Sequence, residues 1–134
     1  MRWIVDAMNV IGSRPDGWWR DRHAATVALL DAVARWAEAH DERVTVVLER
    51  PPRAPLDPSS GSGRVDVGWA PSPAPNSADD EIVRRVSADP EPASLRVVTS
   101  DAGLIERVAA AGAATFPAKA FRDLVDPPPD AGPH

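Results

Sequence analysis

The sequence predicts an α/β fold with a mainly parallel sheet of four or five strands, and three observations carry that expectation. Short β-branched runs recur along the chain with segments of helical periodicity between them, the layout of strands joined by crossover helices. The 134 residues amount to one domain. Hydrophobic residues at 43% and charged residues at 26% match an ordinary soluble globular chain and exclude a wholly disordered one.

Each element has its own signal. Arg2 to Val5 is the first strand-like run. Asp21 to His40 reads as a helix, because Val27, Leu30, Ala34 and Ala37 recur at helical spacing while Leu29, Val33 and Trp36 widen the stripe that packs on the sheet. Val44 to Leu48 is a nearly continuous apolar strand, and Arg64 to Trp69 alternates with Val65, Val67 and Trp69 on one face. Ser77 to Ser87 reads as a second helix with Ile82, Val83 and Val86 inward, followed by a β-branched strand from Leu95 to Thr99. A third helix runs from Ala102 to Ala111 and closes at Gly112. Ala114 to Phe116 is a weak fifth strand, and Ala118 to Val125 a last short helix after Pro117.

Two segments read as irregular. Arg50 to Gly63 is proline-rich and then Ser/Gly-rich, a stiff stretch followed by a flexible one, which suits a mobile lid or an inert insertion. Residues 126–134 hold four prolines and are expected to be a disordered tail behind a domain of residues 1–125.

The absence of cysteine excludes a disulfide scaffold, a zinc ribbon and a thiol nucleophile, and leaves oxygen or imidazole as the only metal ligands. A net charge of −5 argues against a general polyanion-binding surface, yet a carboxylate cluster holding a divalent cation makes a count acidic while the working site gains positive charge. The N-terminus enters a strand-like run directly, with no charged region followed by an apolar one, so a cytoplasmic chain with no membrane partner is expected.

In an open parallel sheet, functional groups gather beyond the carboxyl ends of the strands. Asp6 follows the first strand, Glu49 the second, and Asp101 comes two residues after the fourth. Asp79 and Asp80 open the second helix, whose first turn can face the same rim. Structural readings stand beside these. Ser77 and Asp80 have the spacing of a capping box, Asp101 suits an N-cap, and Glu49 suits a solvated strand end. Asp6 interrupts a buried apolar run, where a charge persists only when paired or metal-bound, and Asn9 can present an amide to the same space. Carboxylates so gathered either hold their protons or hold a cation, and all-oxygen ligation favours Mg2+ or Mn2+. Such an ion suits phosphodiester hydrolysis. A phosphatase with Asp6 as nucleophile wants a second Asp where Met8 stands.

The segments Val5-Asp6-Ala7-Met8-Asn9-Val10-Ile11-Gly12, Ser77-Ala78-Asp79-Asp80 and Val97-Val98-Thr99-Ser100-Asp101 together resemble the YacP-like NYN domains of the PIN-like nuclease superfamily, over residues 2–125. The resemblance implies a three-layer Rossmann-like (PIN-like) fold and a metal-dependent endoribonuclease that leaves a 5′-phosphate. By position it makes Asp6, Asn9, Asp79 and Asp101 the catalytic set, with Asp6, Asp79 and Asp101 as metal acids. Asp80 is then secondary, Ser100 a support for Asp101, and Glu49 an outer ligand. The chain departs from the family pattern at Ala7 and Met8, where glycine and an aromatic are more frequent, and at Ala102 and Gly103, where charged residues are.

RNA is the expected partner. Arg14, Arg20 and Arg84 are candidate phosphate contacts, and Trp18 and Trp19 are either base-stacking platforms or core. The alternative function is a non-catalytic RNA- or ribosome-associated module that keeps the fold.

Overall fold

The computed structural model describes residues 2–13, 17–49, 64–70 and 77–127, apart from the Trp18 side chain. The strands are β1 (Arg2–Asp6), β2 (Arg43–Leu48), β3 (Val65–Trp69), β4 (Leu95–Val98) and β5 (Ala114–Phe116). The helices are α1 (Ala7–Ile11), α2 (Arg22–His40), α3 (Ser77–Ala88), α4 (Ala102–Ala110) and α5 (Ala118–Val125). The expected 50–63 loop and the tail beyond Pro127 lie outside the described residues. Among the described residues, no helix is long and apolar enough to cross a membrane.

All five strands pair in parallel, in the order β3-β2-β1-β4-β5. The chain builds outward from β1 to β3, then returns to lay β4 against the other side of β1. Strand order therefore reverses between β1 and β4, the place where an open α/β sheet opens a crevice at its carboxyl edge.

Successive side chains of a strand point to opposite faces, and the two faces carry separate cores. Trp3 and Val5 of β1 join Val44, Val46 and Leu48 of β2 under α1, α2 and α5. Ile4 and Val47 join Ile82 and Val86 of α3 and Leu104 and Val108 of α4. This is the three-layer arrangement expected. The first core is knitted by Trp3, whose ring lies 5.5 Å from each of Trp36, Phe116 and Phe121.

Helix ends follow capping chemistry. Asp21 accepts from the Ala24 amide at 2.9 Å to start α2. The end of α4 is a Schellman turn, in which Gly112 (φ +99°) donates to Ala109 and Ala113 donates to Val108. The main departures concern exposure. Val27 is exposed, so the stripe of α2 rests on the remaining apolar residues. Trp69 closes β3 and is 40% exposed, whereas Val65 and Val67 pack on the core as the alternation requires. A five-residue helix, α1, follows β1 without any intervening turn.

Candidate active site

Asp6 is both the last residue of β1 and the N-cap of α1, which places its carboxyl beside the point where strand order reverses. It is 6% exposed. The Thr99 hydroxyl, at the end of β4, donates to its Oδ2 at 3.2 Å. Burial is the main reason its carboxyl is pushed up to about 6, and repulsion from Asp79 adds to that. The Asn9 backbone N–H and the Thr99 hydroxyl, both donating to the carboxylate, pull the other way.

Thr99 does more than hold Asp6. Its Oγ1 also accepts from the Asp101 backbone N–H at 3.1 Å, so one buried hydroxyl fixes the relative position of two acids. Asp101 caps α4 by accepting from the Leu104 amide through Oδ1 at 3.1 Å. Asn9 ties the same two strand ends together, its Oδ1 accepting from the Ser100 amide at 2.8 Å. With the carbonyl so engaged, its NH2 is the group left to donate.

The first turn of α3 faces this rim, as expected. Ser77 Oγ donates to the Glu49 carbonyl at 3.0 Å, which pins the helix start to the end of β2. The capping-box reading of Ser77 and Asp80 is replaced, because Ser77 is already the first residue of α3 rather than its N-cap and Asp80 turns outward. The Ser77 hydroxyl proton goes to Glu49, and Asp80 pairs with Arg107 at 3.0 Å. Asp79 is partly buried and its carboxyl is raised, first by loss of water and then by Asp101, with Asp80 and Glu49 adding to that and Arg107 opposing.

Asp6, Glu49, Asp79 and Asp101 line one cleft of about 220 Å³, together with Met8, Asn9 and Ala78. Two strand ends, one helix start and one N-cap thus bring four carboxylates to a common space. Ser100 supports α5 rather than Asp101, its Oγ accepting from the Ala118 amide at 3.0 Å. Asp80 is exposed and turned to Arg107.

The expected substrate contacts fare differently. Arg84 is bound to Glu81 and lines a cavity at the amino ends of the strands, away from the acids. Arg20 is exposed on a short 3-10 turn, Trp18–Arg20, and does not line the acidic cleft. Trp19 is 52% exposed, which removes the core reading for it. Arg14 and the Trp18 side chain lie outside the described residues. Thr99 lies within the quoted Val97–Asp101 segment, but the sequence gives it no role of its own beyond a polar residue ending a buried strand.

Among the described residues, no three acidic or imidazole side chains are drawn together tightly enough to hold a metal ion unaided. The donor set is still of the kind a hard divalent cation takes. Four carboxylates share a cleft that no arginine or lysine lines among the described residues, and two of them are raised partly by repulsion from neighbouring acids. Mg2+ keeps several waters and needs only one or two direct carboxylates, which such a spread cleft can supply.

The family described as YacP-like NYN domain matches residues 3–129. The fold superposes on the crystal structure of Rae1 (YacP) from Bacillus subtilis with a TM-score of 0.71 at 23% identity, covering 92% of this chain and 73% of that one. A mutant of the same protein gives a TM-score of 0.70 at 22% identity, covering 92% and 74%. No curated protein matches this chain.

Proposed function

The chain belongs to the YacP-like NYN domain family, a nuclease-like family, and from that premise we propose that it is a metal-dependent endoribonuclease that hydrolyses RNA phosphodiester bonds. One observation carries the reading. Four carboxylates line a single cleft at the reversal of strand order, and burial and repulsion from neighbouring acids raise Asp6 and Asp79 there.

Asp6, Asp79 and Asp101 would hold Mg2+ or Mn2+, with Glu49 acting through water. When bound, the ion polarises the phosphodiester and lowers the pKa of an attacking water. The chain's own residues do the rest. Thr99 fixes Asp6 and the Asp101 backbone, so the acids keep their spacing as charge enters the cleft. Asp101 spends one oxygen on the α4 cap and has the other free for the cleft. The Asn9 side chain, held by the Ser100 amide and lining the cleft, would donate from its NH2 to a phosphate oxygen.

Cleavage of end-labelled single-stranded RNA, with Mg2+ or Mn2+ and with EDTA, tests this. Wild type cuts only with metal, and Asp79→Asn lowers the rate at least about 100-fold. Cleavage that persists in EDTA, or an unaffected variant, overturns the proposal. RNA binding without cleavage under every divalent ion makes the chain a non-catalytic RNA-binding module instead.

A further inference from the structure

The amino ends of the strands carry a second, larger cleft that the proposed reaction does not use. It encloses about 380 Å³ and is lined by four arginines from three elements: Arg2 at the start of β1, Arg43 at the start of β2, and Arg84 and Arg85 on α3. Arg2 and Asp6 stand at opposite ends of β1, so the two clefts are separated by about 13 Å along the strand.

These arginines are not neutralised alike. Arg2 is closed by Asp89, whose two oxygens accept from Nη1 at 2.5 Å and Nη2 at 3.0 Å. Arg84 and Arg85 instead share one carboxylate. Glu81, with its side chain 2% exposed, accepts from Nε and Nη2 of Arg84 at 3.0 and 2.6 Å, and from Nε of Arg85 at 2.7 Å. One buried negative charge therefore holds two guanidiniums, leaving Nη1 of Arg84 and both terminal nitrogens of Arg85 uncommitted to it.

Arg43 has no acidic partner among the described residues, and in the β1–β2 register it lies directly across from Arg2. Like charges facing each other on neighbouring strands are unfavourable. A second concession to the arginines is Gly68, buried inside β3. A Cβ there would meet the guanidinium carbon of Arg85 at 2.9 Å, so a side chain at this position would push the Arg85 guanidinium off the strand. Among the described residues Asp89 and Glu91 act on Arg2 and Glu81 is shared by Arg84 and Arg85, so the arginine charge is unevenly answered and concentrates at Arg43, Arg84 and Arg85.

We propose that this cleft is a phosphate-binding site, in which Arg43, Arg84 and Arg85 donate to phosphate oxygens and Glu81 holds two of them in place. Guanidinium forks match phosphate oxygens in pairs, and the volume lies in the range of small-ligand sites. The phosphate belongs either to a free phosphorylated small molecule or to the backbone of an RNA strand. The site does not depend on the acidic cleft being catalytic.

Calorimetric titration of the full chain in EDTA, with inorganic pyrophosphate and separately with a short single-stranded RNA, tests it. Saturable binding is expected, weakened at least tenfold by Arg43→Ala and by Arg84→Ala and unchanged by Lys119→Ala on α5. Arg43 is exposed and without an acidic partner among the described residues, so its removal leaves the fold intact, which circular dichroism checks. Saturation by pyrophosphate assigns the site to small phosphorylated ligands, and saturation by RNA alone, with the same dependence on arginine, assigns it to the polymer. Failure of both probes to bind wild type, or binding that survives Arg43→Ala in a folded protein, overturns the proposal.

Discussion

Replacing Asp6 with Asn removes a negative charge from the most buried acid of the cleft while keeping an oxygen to accept from Thr99. Folding moves the Asp6 carboxyl from 3.8 to about 6, chiefly through burial and then through Asp79. A carboxyl whose folded value is raised binds its proton more tightly in the folded chain. Its drag on stability is therefore absent well below 3.8, grows as pH rises toward 6, and is complete above that. The full drag is ~3 kcal/mol at pH 7.5, and about half of it remains at pH 5. Metal-free Asp6→Asn is thus expected to be more stable than wild type by about 1–3 kcal/mol at pH 7.5, with the gap roughly halved at pH 5. Urea unfolding in EDTA at the two pH values, followed by circular dichroism, measures both numbers. A divalent cation at a hundred times its Kd then adds ~3 kcal/mol to wild type and closes or reverses the gap. A variant less stable than wild type in EDTA at pH 7.5, or a gap that ignores pH, refutes the view that Asp6 is held ionised at the fold's expense.

Other positions give independent checks. Thr99→Val removes the donor to Asp6 and the acceptor of the Asp101 amide, so a loss of about 1–3 kcal/mol is expected in chemical unfolding, together with a further rise of the Asp6 titration followed by NMR. Asp101→Asn keeps the α4 cap whereas Asp101→Ala loses about 1 kcal/mol of it; both weaken Mn2+ binding measured by water-proton relaxation, and only the second lowers the unfolding midpoint. Gly112→Ala forces a Cβ into a left-handed position against Pro92 and should cost about 1–2 kcal/mol, read from the same unfolding curves. Asp89 is lowered to about 2 by Arg2, so its contribution is present above 3.8 and lost as pH falls through about 2; Asp89→Asn should flatten the acid side of the stability profile.

Much of the architecture was legible because parallel strands buried on both faces leave short β-branched runs, and the helices between them keep their period. The acids were legible for a related reason. A charge directly after a buried strand stands out, and the carboxyl edge of a parallel sheet is where such charges converge. Helix α1 escaped notice since five residues span too little of a helix to show periodicity, and Ala7 to Ile11 reads as a continuation of the strand. The Ser77–Asp80 spacing suggested a local cap, but Ser77 is already the first residue of α3, and its hydroxyl donates to a tertiary partner, the Glu49 carbonyl. Arg84, a candidate phosphate contact, stands five residues after Asp79 in sequence yet does not share its cleft. Five residues of helix carry it about 7.5 Å along the axis and more than a third of a turn around it, toward the opposite end of the sheet. Thr99 belongs to the Val97–Asp101 segment without a role of its own there; its bond to the Asp101 amide is local, but its bond to Asp6 depends on the β1–β4 pairing, which no local pattern encodes.

The order of the strands also bears on when the molecule becomes competent. Asp6 and Glu49 come from the half of the chain that builds outward from β1, and Asp79 and Asp101 from the half that returns to it. A growing polypeptide that has laid down β1, β2 and β3 carries half of the acids and lacks the strand that sets their spacing. The cleft closes only once β4 has docked beside β1 and α4 has begun from Asp101. An incomplete chain therefore lacks the assembled acidic cleft, and whatever chemistry that cleft supports waits until synthesis of the domain is nearly finished.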